Sequence, residues 1–225
     1  EYKQKEAFMK KGCLFDLDGT LINSIEDLAL SANEVLEKHH FPTHDIKAYH
    51  QFVGNGVRRL MQRALPYDQQ DCLEECLSEF QEVYQRRCLE HTVPYDGMKE
   101  LIEDLKKDSI QLAVVTNKPH HLAVRIVETL FPNTFVAIYG QQDLYPVKPA
   151  GDSTLMALMA MKLRKEECYF IGDSNVDIQT GQNVDMDTIG VCWGFRGRQE
   201  LEDEGATYVV EKPNEIKEII DENRS

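Results

Sequence analysis

Short apolar runs alternate with helix-period segments along most of this chain, and one long stretch breaks the alternation. Near the N-terminus, Gly12-Cys13-Leu14-Phe15 leads into Asp16-Leu17-Asp18-Gly19-Thr20, so an apolar run delivers two acids to a glycine. Further apolar runs fall at 110–116, 135–140, 168–172, 188–192 and 207–210. Between them, apolar positions recur at helical spacing over 98–105, 119–130, 152–162, 175–183, 198–204 and 214–221. Strands that are apolar almost throughout, separated by helices, predict a parallel sheet covered on both faces.

Residues 24–90 follow another pattern. Ile25, Leu28, Ala29, Ala32, Val35 and Leu36 form one apolar stripe, Val57, Leu60, Met61, Ala64 and Leu65 a second, and Cys72 to Tyr84 a third. A short helix fits 45–52, Gly54-Asn55-Gly56 reads as a turn, and Ser24 and Asp27 have the spacing of a capping box. No strand signal occurs here. The predicted fold is therefore α/β, a doubly wound, Rossmann-like parallel sheet with an inserted α-helical unit. Its core is discontinuous, 9–22 with 94–225, the helical unit spans 23–93, and residues 1–8 read as an N-terminal extension ahead of Met9.

The chain has 225 residues, 42% hydrophobic and 28% charged, an ordinary composition for a globular protein. A formal net charge of -14 argues against nucleic acid or an anionic membrane as partner. No apolar run approaches the roughly 20 residues of a membrane span, and no signal-peptide pattern opens the chain. Six cysteines without CxxC spacing read as buried reduced thiols, which suits the cytoplasm. A monomer or homodimer acting on a small molecule fits this profile.

The acids carry the chemistry. A period of two puts Asp16 and Asp18 on the same side, and side-by-side carboxylates call for a hard divalent cation. In open parallel sheets ligands bind at the carboxyl ends of strands, where this pair lies. Other strand ends carry matching polar groups: Thr116-Asn117-Lys118, then Lys148-Pro149 in a loop, then Gly172-Asp173-Ser174-Asn175-Val176-Asp177. Singly, each also reads as an ordinary cap, loop or turn.

In this order the set resembles the four motifs of the haloacid dehalogenase-like phosphohydrolases, and the helical insert after the first motif resembles that family's cap domain. Gly54-Asn55-Gly56, Thr116-Asn117-Lys118-Pro119 and Trp193-Gly194-Phe195-Arg196 look most like its phosphoglycolate phosphatase-like branch. The resemblance implies a Mg²⁺-dependent phosphomonoesterase acting on a small phosphorylated metabolite, with 2-phosphoglycolate foremost. Pyrophosphate and sugar phosphates, or a phosphomutase of the same fold, are the alternatives. Outside enzymes, a phosphoacceptor regulatory module also places an aspartate and a lysine around Mg²⁺.

The resemblance further implies roles. Asp16, ionised in the ordinary carboxylate range, is the nucleophile, and Asp18 the acid/base. Asp16, the backbone carbonyl of Asp18 and Asp173 hold Mg²⁺, while Asp177 orients a metal-bound water. Thr116, Asn117 and Lys148 bind the transferring phosphoryl group. Gly54, Asn55, Gly56 and Arg58 are candidates for substrate selection, through backbone amides or a carboxylate-binding guanidinium. Arg59 and Arg63 read as surface charges, and for Arg196 a cap contact is the weaker of two readings. The chain departs from the branch at Gly151, where proline is common and glycine is expected to loosen the loop, and at Val184-Asp185, where Ala-Gly is common.

Overall fold

A computed structural model describes residues 9–223, so the extension read at 1–8 lies outside the described residues. The chain opens with β1 (Gly12–Phe15) and the short β2 (Ile22–Asn23), then runs through α1 (Ile25–Lys38), α2 (Ile46–Phe52), α3 (Val57–Ala64) and α4 (Leu73–Arg87). It returns through β3 (Val93–Pro94) and α5 (Met98–Lys107). Strands and helices then alternate: β4 (Gln111–Pro119), α6 (His120–Leu130), β5 (Ala137–Gln141), α7 (Asp152–Met161), β6 (Cys168–Gly172), α8 (Asn175–Gln182), β7 (Asp187–Val191), α9 (Arg198–Asp203), β8 (Tyr208–Val210) and α10 (Pro213–Glu222).

Six strands form one sheet in the order β5-β4-β1-β6-β7-β8, with every pair parallel. Alternation along the central strands explains the layering. Cys13 and Phe15 of β1 and Tyr169 and Ile171 of β6 face the larger apolar cluster. Leu14 and Phe170 face a smaller one with Ala157, Leu158 and Met161 of α7. All four β1 residues are buried, which is why that strand reads as continuously apolar. The larger cluster runs on through Leu17, Leu21 and Ile25 into the four-helix segment, where it takes in Tyr49, Phe80 and Tyr84.

Three local expectations need correction. β2 and β3 pair antiparallel at the point where the helical segment leaves and rejoins the sheet, a feature too short to carry a periodicity. β4 extends to Pro119, with a register shift between Val115 and Pro119. Ser24 and Asp27 form no capping box. Instead Ser24 Oγ donates to Asp18 Oδ1 at 2.5 Å, and the buried Asp27 carboxylate accepts from His91 N (2.9 Å), Thr92 N (2.9 Å) and Thr92 Oγ1 (2.7 Å). A carboxylate meeting three donors from one returning segment gains more than a single local cap would give.

Candidate active site

β1 ends at Phe15, and the backbone N–H of Asp16 still bonds to Ile171 O of β6 at 2.8 Å. Asp16 is buried there at the middle of the sheet edge. Gly19 follows in a left-handed conformation, φ 89°, and a Cβ on it would collide with the Asp173 carboxylate. That close approach lets the β1 and β6 loops bring their acids together.

Asp16, Asp173 and Asp177, all buried, offer carboxylate oxygens within 4.8 Å of one another. Lys148 meets two of them, with Nζ 2.8 Å from Asp16 Oδ1 and 2.6 Å from Asp177 Oδ1. The second Asp177 oxygen accepts from Ser174 N (3.1 Å) and Ser174 Oγ (2.7 Å), a capping box that opens α8. Asp173 Oδ2 accepts from Phe195 N at 2.6 Å. Both Asp177 oxygens are thus taken, whereas Asp16 and Asp173 keep oxygens available to a ligand.

Burial, opposed by Lys148 and reinforced by Asp177 and Asp18, pushes the Asp16 carboxyl up to about 7, above the ordinary range expected from its residue type. Burial first, and then Asp177 and Asp16, raise Asp173 well above that range too. For Lys148, burial works against the charge, yet Asp16 and Asp177 outweigh it and hold the ammonium. Three acids against one lysine leave this cluster short of positive charge. An all-oxygen donor set of this kind fits a hard divalent cation such as Mg²⁺, with Asp16 and Asp173 as its side-chain ligands.

Asn117 does a different job from the one its motif suggests. Its Oδ1 accepts from Lys148 N (2.8 Å), and its Nδ2 donates to Lys148 O (3.1 Å) and Gly54 O (3.2 Å). The side chain therefore ties the Lys148 loop to the helical segment. Thr116 is buried, and its Oγ1 accepts from Lys118 N at 3.2 Å, so its own proton remains to donate. Gly151 in this loop has φ -84° and ψ -3°, and Asn183 Nδ2 anchors the nearby Pro149 O at 2.8 Å.

A cleft lies above these groups, lined by Asp16, Asp18, Thr116, Asn117 and Lys118 from the sheet side. The helical segment contributes Leu28, Val53, Gly54, Gly56, Val57 and Leu60. Asn55 and Arg58 do not line it. Asn55 Oδ1 accepts from Arg63 Nη2 at 2.9 Å, and the half-exposed Arg58 pairs with Glu74 at 2.5 Å. Arg196, by contrast, reaches the helical segment: its guanidinium donates to His50 O (2.8 Å), Gln51 Oε1 (2.8 Å) and Val53 O (3.2 Å).

Sequence reasoning missed Lys118. Its buried ammonium lies 2.8 and 3.1 Å from the two Asp18 oxygens and 2.5 Å from the hydroxyl of Tyr84 on α4. A lysine directly after a strand-end polar pair was the available signal, but its partners lie 100 and 34 residues away.

Comparison with known proteins agrees with this architecture. Phosphoglycolate phosphatase of Colwellia psychrerythraea is 31% identical over 215 residues, covering 92% of this chain and 95% of the relative. N-acetylmuramic acid 6-phosphate phosphatase of Pseudomonas putida is 28% identical over 214 residues, covering 94% of this chain and 96% of that protein. The solved structure of a predicted phosphoglycolate phosphatase from Haemophilus somnus 129pt superposes with a TM-score of 0.85 at 27% identity, covering 94% of this chain and 98% of that one. Residues 13–191 match the family described as haloacid dehalogenase-like hydrolase. With its fold, strand-end acids and near full-length relatives agreeing, the chain belongs to the haloacid dehalogenase-like hydrolase family, in its phosphoglycolate phosphatase-like branch, and is an enzyme of the phosphatase class.

Proposed function

We propose that this enzyme hydrolyses a small phosphate monoester through an aspartyl-phosphate on Asp16, with 2-phosphoglycolate as its substrate. The observation that carries the reading is the buried Asp16 carboxylate, held 2.8 Å from Lys148, with Asp18 two residues further along the same strand-end loop. In the first step an Asp16 oxygen attacks phosphorus while Asp18 gives its proton to the departing ester oxygen. In the second, Asp18 takes a proton from a water that attacks the aspartyl-phosphate, which frees phosphate and restores both carboxyl groups. Lys148 and the Thr116 hydroxyl offset the charge on the transferring group. Mg²⁺ held by Asp16 and Asp173, together with the Asp18 carbonyl, would screen the phosphoryl charge and keep Asp16 ionised. Asp177 holds Lys148 in place, its two oxygens being committed to Lys148 and Ser174 rather than to a cation-bound water.

Residues 23–93 then act as a cap over the discontinuous core 9–22 and 94–225, opening for exchange and excluding water when closed. The choice of substrate rests on two supports. Phosphoglycolate phosphatases are among the relatives, and the cleft wall supplied by the helices is apolar or glycine, which gives a polyhydroxylated sugar no side-chain partners. A phosphoacceptor module has no use for a second acid held by Ser24 and Lys118.

The test is phosphate release from a panel of phosphorylated metabolites, pyrophosphate and sugar phosphates included, with and without Mg²⁺. The expectation is Mg²⁺-dependent turnover with 2-phosphoglycolate preferred, and a loss of at least about 10³-fold in kcat for Asp16→Asn. Full turnover by Asp16→Asn would refute the mechanism, and equal rates on every ester would refute the substrate.

A further inference from the structure

The mechanism above leaves one buried cation that lines the cleft unused. Lys118 is as deeply buried as Lys148, yet it faces the other side of the acid pair, toward Asp18 and the helical segment. We propose that Lys118 is a specificity-determining residue, whose ammonium receives an anionic group on the leaving part of the substrate and so selects small carboxylate-bearing phosphate esters. The proposal rests on the phosphomonoesterase reading and deepens it.

Four observations converge on this role. Lys118 lines the cleft, and among the described residues lining it there is no other cation. Leu28, Val53, Val57 and Leu60 give the facing wall no charge and no hydroxyl, so a second anion on the substrate has one side-chain partner available. Of its three N–H donors one meets the Tyr84 hydroxyl and two reach the same Asp18 carboxylate, at 2.8 and 3.1 Å, so an incoming anion takes over the longer Asp18 contact rather than an idle donor. Its Nζ also lies over the Tyr84 ring, 4.6 Å from the centroid, which fixes the charge in position.

Distance selects the size of the leaving group. If Asp18 meets the ester oxygen, the recognised group must lie within reach of an ammonium 2.8 Å from Asp18 Oδ1. In a 2-phospho carboxylate the ester oxygen and the carboxylate oxygens are about 3–4 Å apart by ordinary bond geometry. A two- or three-carbon acid therefore spans the gap. A hexose phosphate places its ring against apolar side chains and offers no anion there.

The experiment compares 2-phosphoglycolate with ethyl phosphate, which matches it in chain length but lacks the carboxylate. For the Mg²⁺-loaded wild type, kcat/KM is expected to favour the carboxylated ester by at least about 30-fold. In Lys118→Met that ratio falls to within about threefold of unity, with the loss on 2-phosphoglycolate carried by KM. Lys118→Arg, which keeps the charge, recovers part of the ratio. An equal loss on both esters carried by kcat would overturn the proposal, because it would make Lys118 a positioning residue for Asp18 alone. Equal wild-type efficiency on both esters would overturn it while leaving the phosphatase reading intact, whereas no hydrolysis of either would overturn both. Should the lysine variants fail to fold, inhibition of the wild type decides the matter. The proposal requires 3-phosphonopropanoate to bind at least about tenfold more tightly than propylphosphonate, and equal inhibition overturns it.

Discussion

Val184 fills the space that a side chain at Gly151 would need, because a Cβ on Gly151 would fall against Val184 Cγ1. The backbone at 151 is ordinary right-handed helix, so close approach rather than conformational freedom calls for glycine there. Two departures from the branch pattern, a smaller residue at 151 and a larger one at 184, are thus one packing solution. Gly151→Ala is expected to destabilise the protein by about 1–3 kcal/mol through overpacking, and by much less when Val184→Ala is also present. Urea unfolding of the two single variants and the double variant measures the coupling, and strict additivity would contradict the contact.

Asp185 adopts φ 54° just after α8, where a branched or bulky residue is strained and glycine is at ease. Its ion pair with Lys165, 2.9 Å long, is largely exposed and contributes little. Asp185→Gly is therefore expected to raise stability by about 0.5–1 kcal/mol despite the lost pair. A fall in the thermal midpoint would show that the ion pair outweighs the backbone cost.

Both of these positions are visible in the sequence, but their consequences are not, and the same division runs through the site. Asp16, Thr116 and Asp173 follow apolar runs whose periodicity marks them as buried parallel strands. That alone puts their polar successors on one edge of the sheet. Lys118, Tyr84 and Ser24 escape because nothing local distinguishes them. Lys118 looks like a solvated charge, Tyr84 like a core-facing aromatic and Ser24 like a helix cap, until strand order brings all three around Asp18. Arg58 and Arg196 show the reverse limit. Both are arginines near a turn, and only tertiary contact sends one to Glu74 and the other to the carbonyls ending α2. Spacing reports an element's faces; it is silent on which neighbour each face meets.

Asp16 gives a pH signature with a definite sign. Its carboxyl shifts from an ordinary value of 3.8 to about 7 on folding, so the native state holds a proton that the unfolded chain releases. Its contribution to stability is therefore complete below about pH 4 and is lost as pH rises to about 7. Without divalent cation, the stability of the wild type relative to Asp16→Asn should fall by roughly 2–4 kcal/mol across that window. Saturating Mg²⁺ should reverse the trend, since the cation binds the ionised form. Thermal midpoints of both proteins between pH 4 and 8, with and without Mg²⁺, provide the check; a pH-independent difference would contradict it.

Arg196 satisfies carbonyl groups at the end of α2 that the helix itself leaves without partners. Arg196→Met should accordingly increase amide exchange across 50–56 and leave protection in β1, β4 and β6 unchanged. Hydrogen exchange resolved by segment tests this, and unaltered exchange at 50–56 would show that the guanidinium does not hold the helix end.

The neck formed by β2, β3 and Asp27 has a consequence for how such a chain diversifies. Pairing Ile22–Asn23 with Val93–Pro94, and holding His91 and Thr92 on one carboxylate, pins the two ends of the intervening segment together. Closing a loop costs free energy that grows only with the logarithm of its length. Once its ends are pinned, the number and kind of residues between them weigh little on the strand order beneath. Helices at this neck can be lengthened, shortened or replaced while β1, β4 and β6 keep their register. The helical segment is thereby free to change while the sheet edge that carries Asp16, Lys118 and Asp173 stays as it is.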